Sequence, residues 1–337
     1  MNSNNTILND IAKKIKISQN ILIITHSNPD GDGIGSMLAM YFYASQFCEK
    51  IKCLIVDEVP KNLKFLSGTD KIEKFNSQKH TSFLKKSDLI LFLDFNDLTR
   101  IRELGTPVAE TSAYKIMIDH HPDTKDIAHI TYVNTHASST GELVWNIISN
   151  DIEAKLNINI VNALYAAIMT DTGSFRFSST TAKVHEIIAQ LIDLGADPYL
   201  LYDKIYNQSS INVVRLLGLV LSELKLFESG KVCIMQISED MFRKTNTTTK
   251  DTEFIVERTL GIEGVLVGIL LTEVKERNEI KISLRSKREV EINKVANNLG
   301  GGGHRNASGA NIKNVTLENA TEMVLRQISK LNLAKNL

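Results

Sequence analysis

Short apolar runs alternate with segments of helical periodicity along the first half of the chain. Four of these runs predict strands, at Ile21–Thr25, Ile51–Val56, Asp88–Asp94 and Lys115–Asp119. The segments with helical periodicity are Ile7–Ile15, Met37–Phe47, Thr140–Ser149, Ile158–Thr170 and Ala182–Leu194. Strands that are apolar on both faces are typical of a parallel sheet with helices packed on each side. The pattern therefore predicts an α/β fold for this half of the chain.

The second half has a different pattern, which predicts a smaller α/β unit. Its predicted helices are Val213–Phe227, Lys250–Leu260, Glu291–Leu299 and Leu317–Leu331, and its predicted strands are Val232–Ile237, Gly264–Val274 and Glu279–Arg285. A length of 337 residues favours two domains. We predict a first domain at 1–190, a linker at 191–212 and a second domain at 213–337. Residues 57–80 give mixed signals, and residues 197–210 are expected to form a connection.

The stretch Thr25–Ser36, with the sequence THSNPDGDGIGS, concentrates unusual chemistry between a predicted strand and a predicted helix. In α/β proteins such a strand-to-helix connection is where ligands bind. His26, Asp30 and Asp32 are three potential metal ligands, and the glycines between them are expected to let a loop fold tightly around these groups. An ordinary turn would explain the proline and the glycines but not the histidine or the second aspartate. A phosphate loop is disfavoured because neither the dinucleotide spacing nor a Gly-Lys-Ser/Thr ending is present.

Further acidic and histidine residues end apolar segments of the first half. Asp94 ends the third strand, Asp119, His120 and His121 end the fourth, and Asp171 ends a helix. The carboxyl ends of parallel strands share one edge of the sheet, so these groups can converge with those of the first stretch. Buried, unpaired aspartates would be costly, and convergence on cations removes that cost. The number of ligands exceeds the needs of one ion and predicts two divalent cations.

The types of ligand indicate which metal is bound. Imidazole and carboxylate without thiolate favour manganese, with iron, cobalt and zinc as competitors, and fit magnesium less well. Affinity order alone would not select manganese, so this prediction depends on the geometry of the site and on metal supply.

The composition narrows the classes of partner and the location. The 39 basic residues balance 39 acidic ones, which argues against a wide basic surface for duplex DNA. No apolar run approaches membrane-spanning length, so no membrane association is expected. The three cysteines lack metal-binding spacing and lie in apolar surroundings, which predicts buried free thiols in a reducing compartment. The expected location is the cytoplasm.

Several motifs, taken in order, resemble those of the DHH phosphoesterases. They are HxxPDGD at His26–Asp32, LDF at Leu93–Phe95, DHH at Asp119–His121 and TDTGSF at Thr170–Phe175. The segment GGGHxxASG at Gly301–Gly309 resembles the DHHA1 domain that follows the DHH domain in this family. The order, spacing and length are similar to those of compact members that act as oligoribonuclease (nanoRNase) and 3′-phosphoadenosine 5′-phosphate phosphatase. The resemblance covers essentially the whole chain.

The resemblance implies a metal-binding role for six residues of the first domain. One metal would be held by His26, Asp30 and Asp94. The other would be held by Asp32, Asp94, His120 and Asp171, with Asp94 as the bridge. His121 would face the phosphate, and Asp119 would orient a ligand histidine from outside the coordination sphere.

The resemblance also implies that the second domain binds the nucleotide and that the active site lies in the cleft between the domains. The residues implied are Arg285, Gly302, Gly303 and His304. Successive glycines can turn several backbone N–H groups toward one anion, and an arginine can clamp a phosphate at two points. A flexible turn for the glycines and a solvated position for the arginine are the alternatives that the residues alone leave open.

These features together predict a two-metal phosphoesterase. It would hydrolyse short oligoribonucleotides to nucleoside 5′-monophosphates, and 3′-phosphoadenosine 5′-phosphate to AMP and phosphate. An activated water would attack phosphorus in line, without a covalent enzyme intermediate. Members of the family often form dimers, so a homodimer is an expectation that no sequence feature decides.

Three other functions stay open on the sequence. They are a hydrolase of linear or cyclic dinucleotides, a manganese inorganic pyrophosphatase, and a catalytically dead nucleotide sensor. The GGGH segment argues against the pyrophosphatase, because it resembles a nucleotide-binding element. The presence of all six implied ligands argues against the sensor.

Overall fold

The computed structural model describes residues 2–252, 255–287, 290–331 and 333. The chain divides into two compact units, Met1–Gln208 and Ser209–Leu337. The domain and linker bounds given above stay a prediction. Within the described residues, no helix has the length and apolar character needed to cross a membrane.

A six-stranded parallel sheet forms the centre of the first unit. Its strands are β1 (Ile21–Thr25), β2 (Ile51–Ile55), β3 (Ile72–Lys74), β4 (Leu89–Leu93), β5 (Tyr114–Asp119) and β6 (Ile130–Val133). They lie in the order β3-β2-β1-β4-β5-β6, and each neighbouring pair is parallel. The carboxyl ends of β1, β4 and β5 are therefore adjacent at one edge of the sheet.

Helices cover both faces of this sheet. They are α1 (Asn2–Ile17), α2 (Gly31–Ala44), α3 (Ser77–Lys86), α4 (Gly105–Ala109), α5 (Thr140–Asn150), α6 (Ile158–Asp171), α7 (Ala182–Asp193) and α8 (Pro198–Tyr206). Short 3-10 helices occur at Lys61–Leu63, Thr69–Lys71 and Leu98–Leu104. Alternate side chains of β1 enter two different apolar clusters, with Ile23 in one and Leu22 in the other. The predicted α/β fold with a sheet buried on both faces is confirmed.

The first helix after β1 begins earlier than predicted. We expected a glycine-rich loop before Met37, but α2 begins at Gly31. The Asp30 side chain caps this helix by accepting hydrogen bonds from the backbone N–H groups of Asp32 and Gly33. An aspartate at the N-cap satisfies donors that a helix end leaves unpaired, and this favours helix over loop. The glycines therefore lie within helical turns, where they allow close packing.

Several polar or short elements of the first unit were not predicted. Strands β3 and β6 are half-exposed at the two edges of the sheet, so they lack the continuous apolar run of the central strands. Helix α3 begins near the end of the stretch of mixed signals and continues beyond it, and only His80 and Leu84 of its side chains are buried. Helix α8 replaces the connection expected at 197–210, with Asp197 as its N-cap and Pro198 as its first residue.

A mixed six-stranded sheet forms the second unit, in the order β11-β12-β10-β9-β8-β7. The strands are β7 (Lys225–Phe227), β8 (Val232–Ile237), β9 (Val267–Val274), β10 (Glu279–Ser286), β11 (Gly302–His304) and β12 (Ala307–Lys313). The helices are α9 (Ile211–Ser222), α10 (Glu239–Thr245), α11 (Ile292–Asn298) and α12 (Leu317–Ile328). Within the described part of this second sheet, only β8 and β9 pair in parallel. The predicted second α/β domain is confirmed.

Of its predicted helices, one is wrong at its end and another is wrong in type. The predicted helix Val213–Phe227 is α9 followed by strand β7, which pairs antiparallel with β8. The leucines near the end of this segment suit a helix or a strand equally. Pairing with β8 favours the strand. In the described part of Lys250–Leu260 there are two short 3-10 helices, Thr249–Asp251 and Val256–Gly261. All three cysteines of the chain are buried free thiols, as predicted.

Candidate active site

The structure brings the six predicted metal ligands together at the carboxyl edge of the parallel sheet. Three groups have ligand atoms within 4.8 Å of one another: His26 with Asp30 and Asp94, Asp32 with His120 and Asp171, and Asp94 with His120 and His121. These residues come from the ends of β1, β4 and β5, from the start of α2 and from the last residue of α6. The convergence expected from the strand ends is present.

His26 is oriented by its own backbone surroundings. Its Nδ1 lies 2.8 Å from the carbonyl oxygen of Ser27, which can only accept, so Nδ1 carries a proton. Its Nε2 lies 3.2 Å from Asp94 Oδ2 and 3.8 Å from Asp30 Oδ1. Burial would lower the pKa of His26, but the Asp30 and Asp94 carboxylates raise it to about 10. The position between these carboxylates thus favours a positive charge, either a proton on Nε2 or a cation bound to it.

Asp32 is buried, and both of its carboxylate oxygens accept backbone hydrogen bonds. Oδ2 accepts from Thr140 N–H at 2.7 Å, and Oδ1 accepts from Gly141 N–H at 2.8 Å. Burial and repulsion from Asp94 and Asp171 raise the pKa of Asp32 well above its usual range. Oδ2 has a second lone pair, so its bond to Thr140 leaves capacity for a cation there.

Asp94 lies at the centre of the cluster and in a strained backbone conformation. Its φ is 65°, in the left-handed region that residues other than glycine seldom adopt. Burial would raise the pKa of Asp94, but the hydrogen bond and charge of His26 hold it below the usual range. An ionised Asp94 raises the pKa of both Asp32 and Asp171. Strain and like-charge repulsion at one residue are typical of a functional site.

The environment of His120 tests whether these residues fit a cation. Its Nε2 lies 3.5 Å from Asp171 Oδ2, 3.6 Å from Asp94 Oδ1 and 3.8 Å from Asp32 Oδ2. These separations are long for hydrogen bonds. Ligand atoms that share one cation, each about 2.0–2.2 Å from it, lie roughly 3–4 Å apart. The nitrogen and the carboxylates therefore fit a shared divalent cation.

Asp119 contacts a different histidine from the one expected. We expected it to orient a ligand histidine, but its Oδ1 lies 2.7 Å from Nδ1 of His121, the residue implied to face the phosphate. Burial would lower the pKa of His121, but Asp119 and Asp94 raise it. Asp119 is fully buried, so its contact with Nδ1 fixes the ring of His121 within the protein.

The glycine-rich segment of the second unit forms a hairpin rather than a flexible turn. Strands β11 and β12 pair antiparallel, with Gly302 opposite Gly309 and Gly303 opposite Ser308. A Cβ atom on Gly301 would overlap the carbonyl oxygen of Gly309, and Gly303 has a φ of 136°. Both positions therefore require glycine. The side chain of His304 lies outside the described part of the structure.

Arg285 lies on β10 and is already held by a carboxylate. Its Nε donates to Glu257 Oε1 at 2.9 Å, and its Nη1 donates to the carbonyl oxygen of Leu284 at 3.0 Å. The two side chains are about one-third exposed, at 30% and 32%. The sequence did not indicate Glu257, because nothing local connects it to a residue 28 positions away.

The sequence also missed the amino end of α5. Ser139 caps this helix by accepting from the N–H of Glu142, and Glu142 accepts from the N–H of Ser138. This reciprocal arrangement resembles a capping box, which the sequence SSTGE could have indicated. The N–H groups of Thr140 and Gly141 donate to Asp32, which lies 108 and 109 residues earlier in the chain, so these bonds are a property of the tertiary fold.

Comparison with known families assigns the class. Residues 20–168 match the model described as DHH family, N-terminal domain, and residues 229–331 match the DHHA1 domain. The chain belongs to the DHH family and carries a DHHA1 domain after its DHH domain.

Individual relatives make the comparison more specific. The chain is 30% identical over 312 residues to the bifunctional oligoribonuclease and PAP phosphatase NrnA of Thermus thermophilus, a match that covers 91% of this chain and 89% of that protein. It is 28% identical over 306 residues to the protein of the same name in Bacillus subtilis, covering 90% and 92%. An exopolyphosphatase-related protein of Bacteroides fragilis has a TM-score of 0.91 at 31% identity, covering 96% of each chain.

Proposed function

We propose that this protein is a phosphoesterase with two substrates. It hydrolyses short oligoribonucleotides to nucleoside 5′-monophosphates, and 3′-phosphoadenosine 5′-phosphate to AMP and phosphate. The observation that carries this proposal is the convergence of six histidine and aspartate side chains, Asp94 among them, in a member of the DHH family. The relatives named as oligoribonuclease and PAP phosphatase, which match the chain over most of its length, support the choice of substrates.

The metal centre that we propose holds two manganese ions. His26, Asp30 and Asp94 hold one, and Asp32, Asp94, His120 and Asp171 hold the other. When bound, the ions supply Lewis acidity at the phosphoryl oxygens and lower the pKa of a water molecule toward neutrality. The protein contributes the carboxylates and imidazoles that would hold the ions.

His121 is the residue that we assign to the phosphoryl group. Asp119 holds Nδ1 at 2.7 Å and thereby fixes the ring, so Nε2 is the atom assigned to the substrate. Asp119 and Asp94 raise the pKa of His121 and so favour its protonated form, which can donate to a phosphoryl oxygen or to the leaving oxygen. No side chain acts as a nucleophile in this scheme.

The proposal is tested by offering several substrates side by side with manganese. A five-nucleotide RNA, a dinucleotide, 3′-phosphoadenosine 5′-phosphate and pyrophosphate separate the candidate functions. We expect mononucleotides from both RNAs and phosphate from the bisphosphate, with pyrophosphate untouched. Turnover of pyrophosphate alone would contradict the nucleotide function. It would not contradict the proposed metal centre. Cleavage of the dinucleotide alone would favour a dinucleotide phosphodiesterase.

Arg285 is proposed to bind a substrate phosphate, so Arg285→Ala should mainly raise KM. A charge-assisted hydrogen bond contributes about 1.5–3 kcal/mol, which corresponds to a roughly 10- to 100-fold increase in KM. Steady-state kinetics on the dinucleotide measure this effect. Arg326→Ala is a matched control, because Arg326 is an exposed arginine on α12 that pairs loosely with Glu322. A normal KM with a collapsed kcat in the Arg285 variant would contradict the binding role.

We also propose that the chain acts as a homodimer in the cytoplasm, without binding duplex DNA or membranes. The equal numbers of basic and acidic residues support the proposal that the chain does not bind duplex DNA, since duplex binding depends on a basic surface. Light scattering that gave the mass of a single chain would contradict the dimer. Duplex DNA that competed with the short RNA at physiological salt would contradict the stated preference.

A further inference from the structure

Thr140 connects two carboxylates of the metal centre. Its backbone N–H donates to Asp32 Oδ2 at 2.7 Å, and its hydroxyl donates to Asp94 Oδ1 at 3.1 Å. Thr140 is fully buried at the first position of α5. Asp32 and Asp94 belong to different groups of ligands, one with Asp171 and the other with His26. A single residue therefore fixes one group relative to the other.

The hydroxyl of Thr140 has an unusual partner for a buried helical threonine. The hydroxyls of Thr172, Thr245 and Thr259 donate to backbone carbonyls three or four residues earlier in the chain. Such a bond satisfies the hydroxyl donor with a carbonyl close by in the chain. Thr140 begins its helix, so its hydroxyl is directed instead to Asp94, a carboxylate that accepts but does not donate when ionised.

The backbone of the same turn restrains Asp32. Gly141 N–H donates to Asp32 Oδ1 at 2.8 Å, so two successive N–H groups hold the two oxygens of one carboxylate. Ser36, one turn later on α2, adds a hydroxyl at 3.2 Å from Oδ1. Asp32 is thus fixed by backbone that no side-chain substitution removes, whereas Asp94 is held by side chains, with His26 at Oδ2 and the Thr140 hydroxyl at Oδ1. This difference allows the hydroxyl to be tested alone.

We propose that Thr140 is a positioning residue for the metal centre. Its hydroxyl sets the orientation of Asp94 relative to Asp32, and so the geometry in which the cations bind. This inference rests on the proposed function, because it requires that these carboxylates bind metal. Partners outside the coordination sphere that orient ligands typically contribute a factor of about 10–100 to metal affinity.

Thr140→Val is the variant that isolates the hydroxyl, because it keeps the size, the β-branch and the backbone N–H. Calorimetry of manganese binding to the full chain, stripped with a chelator, should show an affinity about 10-fold weaker than that of wild type. Thr140→Ser keeps the hydroxyl and should restore the affinity. If the valine variant does not fold, Thr140→Ala removes the same hydroxyl and should weaken binding in the same direction.

Thr245→Val is the matched control, since it removes a buried threonine hydroxyl that bonds only within the second unit. It should bind manganese as wild type does. Wild-type affinity in the Thr140→Val protein would overturn the inference. The inference would also be overturned if the metal-free Thr140→Val protein melted far below the control but bound manganese with unchanged affinity. That result would indicate a structural role. A wild-type protein that bound no manganese would instead overturn the proposed metal centre itself.

Discussion

Replacing Asp94 with asparagine should abolish manganese binding and hydrolysis together while the chain stays folded. Asp94 takes part in two of the ligand groups, and its two oxygens approach different histidines. Oδ2 lies 3.2 Å from His26 Nε2, and Oδ1 lies 3.6 Å from His120 Nε2. An asparagine oxygen carries no net charge and cannot bridge two cations as a carboxylate does. We expect the loss of activity to exceed the roughly 100-fold upper range seen for residues that only orient ligands.

Asparagine is the appropriate replacement because of the backbone. The φ of 65° at Asp94 is in the left-handed region, which asparagine tolerates about as well as aspartate. Alanine would add backbone strain, and a loss of metal binding could then not be distinguished from a loss of stability. Asparagine also removes a buried negative charge that raises the pKa of Asp32 and Asp171, so the metal-free variant loses a source of repulsion.

Thermal unfolding with and without manganese measures the predicted effect. A ligand at 100 times its Kd stabilises a folded protein by about 2.7 kcal/mol, and the asparagine variant should gain none of this. Asp88→Asn is the matched control, because Asp88 precedes the same strand at its other end and accepts from Gln19 and Asn20 N–H. A manganese-dependent shift in the Asp94 variant equal to that of the control would refute the bridging role.

The parts of the fold that the sequence predicted share a physical cause. Strands β1, β4 and β5 are buried on both faces, so selection for apolar residues acts on every position and leaves a continuous run. The ligands follow those runs directly, and the parallel topology brings the strand ends together. For that reason the convergence of these residues at one edge of the sheet could be inferred from order along the chain alone.

The parts that were missed depend on contacts between distant segments. Edge strands β3 and β6 are half-exposed, so their sequences carry little apolar signal. The contact of Asp119 with His121, the pairing of Arg285 with Glu257 and the bonds of Thr140 are made by tertiary structure. The candidate ligands could be singled out in the sequence because their chemistry is unusual. Ordinary residues that hold those ligands in place had no such signal.

The glycines of α2 are the clearest example of a correct observation with a wrong interpretation. We expected them to let a loop fold around the ligands, but they lie in helical turns, and Gly31 and Gly35 pack against α6. A Cβ atom on Gly35 would overlap the backbone carbonyl of Ala163 and approach the Cβ of Ala167 to 2.8 Å. The glycine is therefore required for the close approach of two helices, one of which carries Asp32 in its first turn and the other of which ends at Asp171.

Gly35→Ala should accordingly destabilise the first unit and weaken metal binding. The nearest atom in the way is a backbone carbonyl oxygen, which cannot rotate aside, so α2 and α6 must separate. Overpacking of this kind costs about 1–3 kcal/mol and occasionally more, and the rigid obstacle places this case near the upper end of that range. Separation of the helices also displaces Asp32 from Asp171, so manganese affinity should fall in the fraction that is folded.

Trp145 provides a local probe of this effect. It is the only tryptophan of the chain and is buried on α5 of the first unit. Its fluorescence during denaturation should report a lower midpoint for the Gly35 variant. Gly218→Ala is the control, because a Cβ atom on Gly218, on α9 of the second unit, would meet no described atom within 4 Å, and it should leave the Trp145 midpoint unchanged. A wild-type midpoint for Gly35→Ala would show that α2 and α6 can accommodate the methyl group, and the close approach would then be no reason for glycine at this position.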